Sequence, residues 1–256
     1  MRFTVLLFWC LLLSTNADAE TKTVRFAVGE WAPFTSSSEN PNEKISERLV
    51  IRAYESQGYK VVLSHYPWPR SLRLAKQGKY DGTFPWMYMP EREGIFLHSE
   101  KMFSQKVVFF SNKNVDFQWQ TLPDIERFHI GTTQDFAATL VLDKAGIEST
   151  LEATELNNFE KLVKNRIDAY PAGLIRGKYL LKKHFTDEQV NRIKIGSKAL
   201  IEDSMHILFS TNNKERSDHL SEVFSNGLRH IYASGEYDRI VFGASHPTTN
   251  NTSNPQ

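Results

Sequence analysis

Two short stretches of the chain carry the residue types best suited to binding a small anion. Residues 78–92 read Gly-Lys-Tyr-Asp-Gly-Thr-Phe-Pro-Trp-Met-Tyr-Met-Pro-Glu-Arg, a short predicted strand followed by a turn that ends at Arg92. Residues 131–134 read Gly-Thr-Thr-Gln and are predicted to lie between a strand and a helix, where free N–H groups and the helix dipole attract an anion. A guanidinium and a helix N-terminus can hold one carboxylate between them. The sequence therefore predicts an anion site shared by two separate parts of the chain.

Each of these residues also has a purely structural interpretation. Arg92 lies between Glu91 and Glu93 and could be an ordinary solvated arginine. Thr132 and Thr133 could cap the helix that is predicted to begin at Asp135. Capping is compatible with ligand binding, because several N–H groups are free at a helix start. The sequence is compatible with both a structural role and a ligand-binding role for these residues.

Aromatic residues are predicted at the ends of strands or in the loops that follow them: Trp31, Phe34, Trp68, Trp86 and Tyr88. In open α/β sheets, ligands bind at the carboxyl ends of the strands. Any one of these rings could instead belong to a hydrophobic core. An aromatic slot flanked by Arg70 and Arg92 would suit a planar or elongated anion, which it would bind by stacking and charge pairing.

The hydrophobic pattern predicts an α/β fold of alternating strands and helices. A βαβαβ order over residues 23–84 implies a parallel sheet with helices on its faces, and the pattern restarts at residue 128. We expect two lobes, each a mixed, mostly parallel sheet flanked by helices. Lobe 1 comprises residues 20–108 and 206–244, and lobe 2 comprises residues 109–205. Two extended hinge crossovers, near residues 107–111 and 205–210, would join them.

The order and spacing of several motifs resemble extracellular solute-binding proteins of family 3, the amino-acid type of periplasmic binding protein. The matching stretches are residues 29–34, 78–81, 90–92, 131–134, 165–169 and 235–240. The resemblance implies a two-lobed periplasmic binding protein of type II, a monomer without cofactor or metal. It would capture an anionic or zwitterionic solute and deliver it to an inner-membrane ABC permease.

The resemblance also implies a set of ligand contacts. Arg92 would hold the ligand carboxylate, the loop at residues 131–134 would face it from lobe 2, and Trp31 and Trp68 would stack on the ligand. The complete predicted set is Trp31, Phe34, Trp68, Arg70, Trp86, Tyr88, Arg92, Thr132, Thr133, Gln134 and Tyr170.

The sequence departs from this family in two places. The run from Asp81 to Arg92 is one residue shorter than usual, and residues 86–88 are large where small residues normally approach the ligand. The acidic residue that would bind a ligand amino group is replaced by Gly173, although Glu30 or Asp135 could substitute. A buried ammonium without a carboxylate is strongly disfavoured. We therefore expect a carboxylate with a flat or aromatic body, and weak binding of common polar amino acids.

The N-terminus indicates export. Arg2, an apolar run over residues 5–13 and the small residues Ala17 and Ala19 are typical of a signal peptide cleaved after residue 19, with an uncut membrane anchor as the alternative. Cys10, the single cysteine, falls in this segment, so the mature chain would have none. We therefore expect a periplasmic protein. Residues 245–256 are predicted to form a disordered tail. The formal net charge of +1, without a basic stripe, argues against nucleic acid as a partner.

Catalysis is the competing class, because a few relatives of this fold are dehydratases. The eight histidines are scattered without metal-ligand spacing, and no Gly-x-Ser-x-Gly motif occurs. His65 and His98 are the candidates for acid–base chemistry, each with a surface or packing role as its alternative. We therefore expect a binding protein rather than an enzyme, and a ligand-presenting partner of a membrane receptor remains a further alternative.

Overall fold

The computed structural model of the chain describes residues 22–243. The predicted signal peptide and the predicted tail lie outside the described residues. Within residues 22–243, no helix is long and apolar enough to cross a membrane.

Residues 22–243 contain nine strands. In chain order they are β1 (Lys22–Val28), β2 (Tyr59–His65), β3 (Gly82–Met87), β4 (Phe96–His98), β5 (Phe103–Asn112), β6 (Ile130–Thr133), β7 (Ser149–Glu152), β8 (Ala169–Gly173) and β9 (Ile193–Ser210).

Eight α-helices surround the strands in the described part of the chain. They are α1 (Ile45–Glu55), α2 (Trp68–Lys76), α3 (Ala137–Lys144), α4 (Glu155–Val163), α5 (Leu174–His184), α6 (Asp187–Val190), α7 (Lys214–Ala233) and α8 (Glu236–Val241). Short 3-10 turns at Pro41–Glu43, Pro90–Arg92, Leu122–Ile125 and Thr211–Asn213 connect them.

The strands form one continuous path in the order β2-β1-β3-β9-β5-β8-β6-β7, with β4 added on β9. At one end β1 is parallel to β2 and β3, and at the other end β6 is parallel to β7 and β8. In the middle, β5 and β9 pair antiparallel with each other from Phe103–Met205 to Asn112–Ile193. These two strands are the crossovers, and they lie side by side as a ribbon that joins the two ends of the sheet.

Separate hydrophobic cores lie on either side of this ribbon. One core is built from residues 24–103 and 205–241, and includes Phe26, Phe84 and Phe224. Two smaller cores use residues between 108 and 193, one around Phe159 and the other around Phe109. We use lobe 1 for the part of the chain that builds the first core and lobe 2 for the part that builds the other two. The boundaries at 108/109 and 205/206 stay a prediction.

The structure confirms the α/β class and the two-lobed arrangement with two crossovers. It differs most from the predictions at β9, which begins at Ile193 and not near residue 205. Residues 194–204 are largely exposed or half-buried and rich in polar side chains, so they carry no strand periodicity. Their extended form comes from pairing with β5, a long-range partner that local pattern does not reveal. Strands β4 and β7 and helix α6, each four residues or fewer, were also not predicted.

The contact between α1 and α7 gives a test of lobe 1 packing. A Cβ at Gly227 would lie 2.0 Å from the carbonyl oxygen of Ala53, a backbone atom that cannot rotate away. Gly227→Ala should therefore push the two helices apart and lower the free energy of unfolding by about 1–3 kcal/mol. Urea unfolding would measure it, with the exposed Glu222→Ala on the same helix as a control that should leave stability nearly unchanged. Equal stability of the two variants would contradict this packing.

Candidate ligand-binding site

A cleft of about 430 Å³ lies between the lobes, beside the ribbon. That volume is within the range of about 300–1,000 Å³ for small-molecule sites. Lobe 1 and the ribbon contribute Trp31, Trp68, Pro85, Trp86, Met87, Met89, Arg92, Gln105, Val107 and Met205. Lobe 2 contributes Asp135, Phe136, Ala137, Ala138, Leu140, Glu155, Pro171, Ala172, Gly173 and Arg176. The lining is mostly apolar, with a few charged groups.

Two tryptophans form an aromatic wall on the lobe 1 side. The rings of Trp68 and Trp86 are 4.9 Å apart and nearly perpendicular. The Nε1 of Trp86 donates to Thr83 Oγ1 at 3.0 Å, and the Nε1 of Trp68 donates to the Glu30 carbonyl at 3.3 Å. These bonds satisfy the polar ends of both rings and hold their orientation. The Trp68 ring lies directly on Gly29, where an added Cβ would be 2.3 Å from it, so this wall requires glycine at that position.

An irregularity in the sheet brings consecutive residues of β3 to the cleft. In a regular strand, neighbouring side chains point to opposite faces. The pairing of β3 with β9 shifts between Thr83 and Trp86, and Pro85, Trp86 and Met87 all line the cleft. Such irregularities commonly re-aim side chains beside functional sites.

Arg92 lies at the edge of this wall without a carboxylate partner. Its Cζ is 4.5 Å from the centre of the Trp86 ring, and its Nη1 donates only a long bond of 3.5 Å to the Met87 carbonyl. No Asp or Glu oxygen of residues 22–243 lies within 4.0 Å of it. Burial lowers the pKa of the Arg92 side chain, while nearby Glu91 raises it; an arginine remains charged regardless. A half-buried guanidinium with unused donors therefore faces an aromatic cleft.

Three of the predicted lobe 1 residues lie elsewhere. Phe34 is 1% exposed and stacks on Phe103 in the lobe 1 core. Arg70 is exposed, with its Cζ 4.6 Å from the Tyr66 ring. Tyr88 bonds Glu93 through its hydroxyl and packs 5.2 Å from the His98 ring. The structure therefore brings Trp31, Trp68, Trp86 and Arg92 together and leaves these three outside the lining.

On the lobe 2 side, the prediction that Thr132 and Thr133 lie between a strand and a helix is wrong. Thr132 and Thr133 are the last residues of β6, both buried, and not part of a loop before the helix. Helix α3 begins at Ala137 after Phe136, and it has no side-chain cap. The hydroxyl of Thr132 bonds Ser149 at 2.8 Å, and that of Thr133 bonds the Tyr170 hydroxyl at 2.8 Å. The hydroxyl groups of both threonines are therefore already hydrogen-bonded within lobe 2.

The other two predicted lobe 2 residues also fall outside the cleft lining. Gln134 is exposed, and its N–H donates to the Glu152 carbonyl at 2.9 Å. Tyr170 is 1% exposed and belongs to the core around Phe159. Burial raises the pKa of the Tyr170 hydroxyl. A buried hydroxyl needs a hydrogen-bond partner, and Thr133 supplies it.

Lobe 2 instead presents an ion pair that the sequence analysis did not single out. Arg176, in the first turn of α5, donates through Nε to Glu155 Oε2 at 2.7 Å. Glu155 is nearly buried, and burial raises its pKa while Arg176 pulls it back down. The signal available in the sequence was a carboxylate at the start of one helix and a guanidinium at the start of the next, both directly after strands.

Arg176 and two neighbours on α5 also connect the lobes. Arg176 Nη1 donates to the carbonyl of Ala32 in lobe 1. One and two turns further along, Tyr179 Oη and Lys183 Nζ each donate to Glu43 Oε1 at 2.8 Å. We call Glu43, Tyr179 and Lys183 the interlobe bridge. It holds α5 of lobe 2 against the loop before α1 of lobe 1.

The two histidines considered for acid–base chemistry are not among the cleft residues. His65 Nε2 lies 2.9 Å from Glu47 Oε1 in lobe 1. His98 has an unpartnered, buried Nε2, and its pKa is lowered by burial and by the nearby charges of His206 and Arg92. Within residues 22–243, no group of three or more His, Cys, Asp or Glu is placed to hold a metal ion.

No protein-family model and no curated protein matches the sequence. Solved structures do match. An arginine-binding protein mutant from T. maritima is 18% identical with a TM-score of 0.65, covering 86% of this chain and 93% of that one. The second substrate-binding domain of a putative amino acid ABC transporter from Streptococcus pneumoniae is 18% identical with a TM-score of 0.66. The match covers 86% of this chain and 98% of that one.

A third similar structure is an ancestral amino acid-binding protein described as a precursor of cyclohexadienyl dehydratase. It is 15% identical with a TM-score of 0.65, covering 85% of this chain and 92% of that one. The chain has the two-lobed fold of periplasmic binding proteins, and its structural neighbours include amino acid-binding proteins of the family 3 type. At these identities the likeness establishes the fold, and the ligand has to be argued from the site.

The interlobe bridge generates a prediction about pH. Hydrogen bonds from Lys183, Ser38 and Tyr179 lower the pKa of Glu43 to about 2. Because this pKa is below its ordinary value of 4.5, the stabilisation is complete above about pH 4.5 and disappears as pH falls towards 2.

Glu43→Gln should therefore be less stable than the parent at pH 7, and the difference should shrink between pH 4.5 and 2. Urea unfolding midpoints across this range would measure it. The control is Glu39→Gln, an exposed residue in the same loop. A Glu43→Gln difference that stays constant with pH would show that the bridge contributes no charge interaction.

Proposed function

We propose that this chain is a periplasmic solute-binding protein that captures a small carboxylate between its two lobes. The observation that carries the proposal is Arg92, a half-buried guanidinium without a carboxylate partner in the described residues, beside the ring of Trp86 in a cleft between lobes. A planar guanidinium suits bidentate binding of a carboxylate. The low polarity of the surrounding wall strengthens such a charge pair.

The shape and composition of the cleft favour a flat, apolar ligand body. Trp31, Trp68 and Trp86 offer ring surfaces, and Met87, Met89 and Met205 offer adaptable apolar contacts beside them. On the opposite side, Glu155 is already bonded to Arg176. Asp135 is the other carboxylate in the lining, and it is exposed. The arrangement therefore favours a carboxylate with an aromatic or otherwise flat body over a polar α-amino acid.

The proposed partner is an inner-membrane ABC permease, which would receive the solute from the closed, monomeric protein. This is supported by the fold shared with the substrate-binding domain of a putative amino acid ABC transporter. Catalysis is less well supported, although one similar structure is described as the precursor of a dehydratase, because no histidine of residues 22–243 lines the cleft. Incubating the protein with prephenate, and analysing the mixture for products, would detect a dehydratase.

The role of Arg92 can be tested with a matched pair of variants. Arg92→Ala should weaken binding of an aromatic carboxylate such as 3-phenylpropanoate by about 2–5 kcal/mol, because the carboxylate would lose its charged partner. Arg70→Ala removes an exposed arginine outside the cleft and should leave binding unchanged. Isothermal titration calorimetry would measure both. Unchanged affinity in Arg92→Ala would contradict the proposed role of Arg92 in binding the carboxylate.

Closure around the ligand gives a second test. Because the two lobes are joined by the β5–β9 ribbon, bound ligand should favour a more compact form by hinge motion. Small-angle X-ray scattering should show a smaller radius of gyration with saturating 3-phenylpropanoate than without it. Identical curves would argue for a rigid pocket.

A further inference from the structure

Gln105 has hydrogen-bonding capacity that the protein does not use. It lies on β5 and contributes to the lining of the cleft. Its Oε1 is fully covered and has no hydrogen-bond partner within residues 22–243. Leaving a buried acceptor unpaired is unfavourable, and such groups are rare in folded proteins. The terminal torsion of a glutamine is broad, so its carboxamide can turn towards a donor that enters the cleft.

Gly173 provides the space that Gln105 occupies. A Cβ at residue 173 would lie 2.9 Å from Gln105 Nε2. The backbone of Gly173, with φ −57° and ψ 128°, is in a region open to any residue, so backbone geometry does not require glycine here. The missing side chain matters because it lets an uncharged carboxamide reach this wall of the cleft.

Neither carboxylate of the cleft lining offers a free charge beside Gly173. Glu155 accepts a 2.7 Å hydrogen bond from Arg176, and Asp135 is exposed just before α3 begins. A polar ligand group beside Gly173 therefore faces an amide and not a free carboxylate. An amide oxygen accepts well from a hydroxyl, whereas an ammonium without a carboxylate is costly to bury.

We infer that Gln105 is a specificity-determining residue, and that the ligand carries, besides its carboxylate, an uncharged hydrogen-bond donor such as a hydroxyl group. This inference rests on the proposed function and names the class of solute as hydroxylated aromatic carboxylates.

Four probes that share a phenyl ring and a carboxylate test the inference by calorimetry. The reference probe is 3-phenylpropanoate, which has no added donor. In 3-phenyllactate a hydroxyl lies beside the carboxylate, and in 3-(4-hydroxyphenyl)propanoate it lies on the ring. Phenylalanine carries an ammonium instead. The parent protein should bind at least one hydroxylated probe about tenfold more tightly than 3-phenylpropanoate, the gain of one buried hydrogen bond. Phenylalanine should bind more weakly than that probe.

Substitutions at residue 105 separate hydrogen bonding from packing. Gln105→Leu should abolish the tenfold preference while leaving the affinity for 3-phenylpropanoate within about twofold, and Gln105→Met is a second neutral variant. Gln105→Glu should raise the affinity for phenylalanine about tenfold relative to 3-phenylpropanoate, because it supplies the missing carboxylate. Gln77→Leu, the same change at an exposed residue outside the cleft, should alter none of the four affinities.

The outcomes distinguish the inference from the proposed function. Equal binding of 3-phenylpropanoate and both hydroxylated probes, or a preference that survives in Gln105→Leu, overturns the inference alone. Tightest binding of phenylalanine by the parent protein also overturns it. Failure of all four probes to bind at millimolar concentration counts against the inference and against aromatic carboxylates as the proposed solutes.

Discussion

The antiparallel pairing of β5 with β9 is the interaction on which the rest of the structure depends. Every other strand in the described chain is connected to this ribbon, directly or through one or two neighbours. The register of the pair shifts near Val107 and Val108, where the chain passes from one lobe to the other. Irregularities of this kind bend a strand and increase its twist. The ribbon therefore both joins the lobes and sets the angle at which their walls face each other.

The ribbon also supplies the floor of the cleft. Gln105, Val107 and Met205 lie on β5 or β9 and are part of the cleft lining. Residues that line the cleft therefore lie on the same element that joins the two lobes.

Charge is distributed unequally between the two walls. On lobe 1, Arg92 has no carboxylate partner, and its flat face packs near Trp86. On lobe 2, Arg176 is occupied by Glu155 and by the carbonyl of Ala32. Unpaired charge in a half-buried site is unfavourable unless a ligand compensates for it, whereas paired charge serves to position neighbouring elements. This distinction supports the proposed role of Arg92 in ligand binding and favours a lobe-positioning role for Arg176.

Local periodicity and short motifs were enough to predict the α/β class, the order of the main strands and helices, and part of the lobe 1 wall. Trp86 and Arg92, for example, lie on one strand and the turn after it. Phe34, Arg70 and Tyr88 were expected in that wall and lie outside the lining. The lobe 2 wall could not be predicted in this way, because it depends on long-range contacts. Thr133 has a side chain typical of a helix cap, but the buried Tyr170 hydroxyl, 37 residues away, takes its hydrogen bond. The role of Gln105 depends likewise on the empty space at Gly173, and the extent of β9 depends on its pairing with β5. Such long-range pairings are set by which buried groups meet, which neither hydrophobic period nor motif spacing records.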